Sequence, residues 1–173
     1  MVKIIVIDKN DKKIGLEDKL KCHLNKGILH RAFSIFIFNN KKELLIQKRS
    51  KLKLLWPLYW SNSCCSHLYK NKGLILSAEK RLKQELGFTC KLKFLDKFEY
   101  RAKYKNIGVE NEITSILIGK YDRKIRPNPK EVDDWKWIEL GELKRDITKN
   151  PKKYTPWLKI GLKILFKKLN KNI

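Results

Sequence analysis

The sequence contains three histidines, His23, His30 and His67, and two glutamates, Glu110 and Glu112, stand two residues apart in Gly108-Val109-Glu110-Asn111-Glu112. If that segment is extended, residues two apart point to the same face, so both carboxylates project together. Two like charges held so close are costly unless a cation neutralises them. Three neutral imidazoles with two carboxylates suit a borderline divalent ion such as Zn²⁺ or Mn²⁺ better than Ca²⁺, which prefers oxygen ligands alone. His67 closes a stretch, Trp56 to Ser66, dense in aromatic and polar residues, and Cys65 offers a thiol two positions before it. Singly, each histidine fits a satisfied structural role and the glutamate pair fits a solvated strand edge. Together they predict a metal centre, with the Cys65 thiol two residues from one of its ligands.

The elements that must bring these residues together are partly legible. Lys3–Asp8 reads as a strand, and Gly15 with its charged neighbours as a connection into a Lys19–Leu24 segment. Arg31–Phe38 and Glu43–Lys48 are rich in apolar residues around a polar Asn39-Asn40-Lys41-Lys42 break, a hairpin signal. A helix is predicted from Ser77 as N-cap, with Glu79 in its first turn, to Gly87 as its C′ residue. Lys91–Tyr100, Glu112–Lys120 and Asp134–Ile138 read as further strands. Thr155 and Pro156 open a last helix, where Leu158, Leu162, Leu165 and Leu169 recur at helical spacing.

At 173 residues with 42% apolar content, the chain suits one domain, 1–173, around one core. Its longest apolar runs are far shorter than the ~20 residues a membrane helix needs. The four cysteines show no CxxC spacing and the chain opens without a signal-like segment, which predicts a reduced, cytoplasmic protein. The net charge of +23 comes from lysines spread along the whole chain rather than gathered in one block. Such a field helps steer an anionic small molecule.

Beyond these readings, several motifs in one order resemble those of type 1 isopentenyl diphosphate isomerases. They are His23 through His30-Arg31-Ala32-Phe33-Ser34, Trp56-Pro57 through Trp60-Ser61-Asn62-Ser63 to Cys65 and His67, Glu85-Leu86-Gly87, Tyr100-Arg101-Ala102, Glu110-Asn111-Glu112, and Pro156-Trp157. The resemblance implies a Nudix-like fold of the α/β (α+β) class, a mixed sheet sandwiched by helices. It implies interconversion of isopentenyl and dimethylallyl diphosphate, with Cys65 and a metal-bound Glu112 on opposite faces of the hydrocarbon and Tyr100 near the carboxylates. Trp157 is expected over the cationic carbon, where an indole face offers on the order of 2 kcal/mol once desolvated. Lys19, Arg49, Lys53 and Arg81 match diphosphate-binding positions. Glu85 matches a carboxylate that shares Mg²⁺ with the diphosphate, and the second ion, Zn²⁺ or Mn²⁺, falls to His23, His30, His67, Glu110 and Glu112. The implied partner is the small diphosphate, without nucleic acid or membrane, for a monomer or weak dimer.

The chain departs from the pattern of Nudix hydrolases, because Lys72, Arg81 and Gln84 stand where their box carries acidic residues. A metal cluster that would activate water is therefore missing, which disfavours nucleotide hydrolysis. Ser66 replaces the usual glycine between the cysteine and the histidine. A basic nucleic-acid-binding module is the remaining alternative, and it leaves the His, Glu and Cys grouping without a purpose.

Overall fold

The protein is described by a computed structural model that covers residues 2–69 and 73–169. Lys72 and the side chain of Leu169, both used above, lie outside what it describes. Strand β1 (Lys3–Ile7) turns into β2 (Lys13–Asp18), and Asp18 caps the short helix α1 (Lys19–His23) by accepting from the Leu20 and Lys21 amides at 2.9 and 3.3 Å. The stretch around Gly15 is thus a paired strand, not a connection, because its backbone completes the edge that β1 offers.

Strand β3 (His30–Phe38) forms the spine. It pairs in parallel with β8 (Gly108–Lys120) along its whole length, and antiparallel with β6 (Cys64–His67) over its first half. Its partner in the expected hairpin, β4 (Leu44–Arg49), meets it only at Phe38–Leu44 and then runs off to pair with β9 (Val132–Ile138) and β5 (Trp60–Ser61). A strand apolar at nearly every position belongs inside a sheet with both faces covered, and β6 and β8 already occupy both edges of β3. The long hairpin is β7 (Leu92–Tyr104) with β8.

Both faces of β3 carry a core. Phe33, Ile35 and Ile37 pack with Ala78, Leu82 and Leu86 of α2 (Leu74–Leu86), while Phe36 packs with Leu158, Leu162 and Leu165 of α4 (Pro156–Leu169). Helix α2 begins three residues before Ser77, whose buried hydroxyl is left without a partner, and it closes on Gly87 in the left-handed conformation at φ 80°. The sequence reading missed helix α3 (Leu140–Lys149), capped by Glu139. It buries only Leu143 fully, and its apolar residues, Leu140, Leu143 and Ile147, are few among many charges.

Helix α4 approaches the sheet closely because Gly161 has no side chain: a Cβ there would stand 2.6 Å from Cζ of the fully buried Phe36. Overpacking such a contact typically costs ~1–3 kcal/mol, so Gly161→Ala is expected to lower the urea midpoint without changing the slope.

Candidate metal and acid–base site

Three adjoining strands and one helix bring the ligand candidates to one point. His30 opens β3, His67 ends β6, Glu110 and Glu112 lie on β8, and α1 delivers His23. The parallel register sets His30 directly beside Glu112. All five residues are buried, and their ligand atoms lie within 4.8 Å of one another. The three imidazole centroids are 4.8 to 4.9 Å apart.

The hydrogen bonds around the cluster decide what these rings present. His23 Nδ1 donates to the Lys19 carbonyl at 2.6 Å, and His30 Nδ1 donates to the Ile28 carbonyl at 2.7 Å. In a neutral ring the proton is then on Nδ1 and the Nε2 lone pair points inward. Those lone pairs face carboxylate oxygens, with His23 Nε2 at 2.9 Å from Glu110 and His30 Nε2 at 3.4 Å from Glu112. Accordingly His30 Nε2 and Glu110 Oε2 are buried without a hydrogen-bond partner. His67 Nε2 lies 3.0 Å from the same Glu112 oxygen, and burial, with Lys19 and His30 nearby, pushes its pKa well below the imidazole range. Lone pairs converging from nitrogen and oxygen repel unless a cation lies between them, and this donor set fits a divalent ion.

Glu112 divides its two oxygens. Oε1 faces His30 and His67, while Oε2 accepts from Tyr100 Oη at 2.8 Å and Thr114 Oγ1 at 3.0 Å. Burial opposes its charge, yet the His30 and His67 contacts hold its carboxyl well below the usual range. Burial and the neighbouring Glu112 raise Tyr100 well above the phenol range, so Tyr100 keeps its proton and donates it to that oxygen.

A cavity of about 310 Å³ opens in front of this cluster, lined by His23, His67, Glu110 and Glu112 together with Cys65, Tyr100 and Trp157. Cys65 lies on β6, with its thiol pushed up to about 11 by burial, against the opposing pull of Arg49 and Lys53. It is therefore a protonated thiol near neutral pH. Cys64, next to it, is fully buried on the opposite side of the strand in the α2 core. Ser66 stays in extended pairing with Phe33 and needs no positive φ, so a serine fits where the family pattern has glycine. Trp157, 3% exposed, is fixed by its indole N–H donating to Ser61 Oγ at 2.9 Å and by an edge-on Trp56 at 5.2 Å.

Lys19, Arg49, Lys53 and Arg81 all line the same cavity. Arg49 is held by the Trp56 and Leu55 carbonyls at 3.0 and 2.9 Å, with its guanidinium carbon 5.1 Å from the Trp157 ring centre. Lys53 and Arg81 both engage Glu131, and Arg81 Nη2 also lies 2.7 Å from Glu85. Glu85 is committed on both oxygens, the second accepting from Gln47 Nε2 at 2.8 Å. It stands behind the cations rather than among the cavity-lining residues. Glu131, Gln47 and Ser61 escaped the sequence reading. Ser61 lay inside a quoted motif without a role, and a lone glutamate in a Lys-rich turn gives no spacing signal.

Residues 28–158 match the NUDIX domain family model, which agrees with the mixed sheet between helical layers. A MutT protein from Methanosarcina mazei Go1 shares the fold, with a TM-score of 0.67 and 14% identity over 83% of this chain and 96% of that one. Isopentenyl-diphosphate Delta-isomerase 1 of Photorhabdus laumondii is 42% identical over 142 residues, 81% of this chain and 81% of that relative. The bovine enzyme of the same name is 37% identical over 78% of this chain and 67% of its own length. The chain belongs to the isopentenyl-diphosphate Delta-isomerases of the NUDIX class.

Proposed function

We propose that this chain interconverts isopentenyl diphosphate and dimethylallyl diphosphate, with Cys65 and Glu112 handling the two protons. The observation that carries this reading is a half-buried thiol and a metal-competent carboxylate opening on one cavity walled by Trp157 and Tyr100. An unactivated alkene is a weak base, so its terminal carbon needs an acid set against it and water kept out. The alkene electron pair takes the proton, leaving a tertiary carbocation. Loss of a proton from the neighbouring CH₂ then returns a C–H electron pair as the new double bond. Trp157 presents its indole face to that positive carbon, and Tyr100 fixes the free oxygen of Glu112 for the transfer.

His23, His30, His67, Glu110 and Glu112 would hold the divalent ion, and their nitrogen-rich donor set favours Zn²⁺ or Mn²⁺. The ion supplies fixed positive charge that holds Glu112 in place and alters its proton affinity. Glu85, oriented by Arg81 on one oxygen and Gln47 on the other, keeps lone pairs free and would share Mg²⁺ with the bound diphosphate. Arg49, Lys19, Lys53 and Arg81 remain as the cationic receptor for the diphosphate. The reading needs no nucleic acid and no membrane, and it suits a monomer or weak dimer in the cytoplasm.

Purified protein with a divalent cation is expected to convert isopentenyl diphosphate, followed by proton NMR, and to incorporate deuterium from heavy water in the product. Release of phosphate or a mononucleotide from nucleoside diphosphates, with no isomerisation, would replace this reading with hydrolysis. The composition of α2 opposes that outcome, since Arg81 and Gln84 leave Glu85 alone in the box.

A further inference from the structure

Ser34 has a hydroxyl that nothing so far explains. The residue is 1% exposed, and its Oγ is shut off from solvent without a hydrogen-bond partner among the described residues. It nevertheless lines the cavity that holds Cys65, Tyr100 and Trp157. Alternation along β3 accounts for its direction: Phe33 and Ile35 belong to the α2 core and Phe36 to the α4 core, so Ser34 lies on the Phe36 side. In the antiparallel ladder with β6, Ser34 stands directly opposite Cys65, and residues so paired share a face.

A buried hydroxyl without a partner destabilises a fold, and alanine at this position would avoid that cost. A group kept in this condition, inside a cavity and across from the thiol, is waiting for an acceptor that forms only in use. We propose that Ser34 is a positioning residue for Cys65, its O–H hydrogen-bonding the sulfur when the sulfur is without its proton. The proposal rests on the isomerase reading above.

Whichever of Cys65 and Glu112 gives the first proton, the sulfur is a thiolate in one half of the cycle. When the thiol is the donor, the S–H bond breaks as the C–H bond forms and the electron pair stays on sulfur. In the other direction that pair takes the proton from carbon. Ser34 keeps its own proton throughout and stabilises the sulfur charge in either case. Arg49 Nη1, at 3.8 Å from Sγ, is a donor already beside the sulfur and sits long for the task.

The experiment is steady-state kinetics and thermal melting of Ser34→Ala and Ser34→Thr beside the metal-loaded wild type. Ser34→Ala is expected to lose roughly ten- to hundredfold in kcat with KM within about twofold, as for a hydrogen bond to a charged group. Its melting temperature should stay level or rise, because an unsatisfied hydroxyl has been removed. Ser34→Thr, which keeps the hydroxyl, should retain most of the rate. Wild-type kcat in Ser34→Ala would overturn the proposal, and so would a fall in melting temperature that tracks the loss of rate in both variants. An inactive wild type would instead refute the isomerase reading itself, which an active wild type with an inactive Cys65→Ala separates from failure at Ser34.

Discussion

Cys65→Ala is expected to lose about three orders of magnitude or more in kcat while still binding the diphosphate, the range a positioned acid or base supplies. On the proposed reading Cys65 meets the hydrocarbon, whereas Lys19, Lys53 and Arg81, which line the same cavity, would supply the charge that the diphosphate needs. KM should therefore change much less than kcat. The folded state should be little affected, since Cys65 is only half-buried and alanine fits its strand. Serine is a sharper control, because a hydroxyl at the same place is a far weaker acid than a thiol. Cys65→Ser with wild-type kcat would remove the thiol from the chemistry.

Glu112→Gln should be more damaging still, because this side chain accepts from the Tyr100 and Thr114 hydroxyls and on the proposed reading also holds the ion and handles a substrate proton. Activity should fall by roughly 10⁴-fold or beyond, and the bound metal measured by elemental analysis should drop well below one per chain, as expected when a charged ligand is lost. Chelation of the wild type tests the same centre by another route. Each hundredfold excess of free ion over its dissociation constant is worth about 2.7 kcal/mol of stability, so stripping the ion should lower the melting temperature measurably. Acid should eject it as well, because only neutral imidazoles bind. Burial keeps His67 neutral to lower pH than an ordinary histidine, whereas at His23 burial is outweighed by the Glu110 contact, which raises the pKa. As pH falls, His23 therefore takes a proton before His67 does. A protein that keeps full activity and stability after exhaustive chelation would contradict the centre.

The gathering of the three histidines and two glutamates was legible in the sequence for a physical reason. Histidine occurs three times here, and a Glu-x-Glu pair on a strand must put both charges on one side. The strand pairing that assembles it was not legible. Chain proximity suggested β3 against β4, but the apolar character of β3 on both faces reserved its edges for β6 and β8. The four cations singled out by resemblance line one cavity, whereas Glu131, the counter-charge of Lys53 and Arg81, depended on a loop whose course no periodicity reveals. Ser34 was visible only as part of a motif. Its missing partner is a property of three dimensions.

The ladder linking β3, β6 and β8 has a consequence for how such a chain can diverge. Each of these strands contributes a ligand or the thiol, and adding or removing one residue within any of them turns its later side chains to the wrong side of the sheet. The turns that connect them are under no such restriction. Length variation among descendants of this gene should therefore collect between the strands, where a lineage can reshape the mouth of the enzyme without disturbing its chemistry.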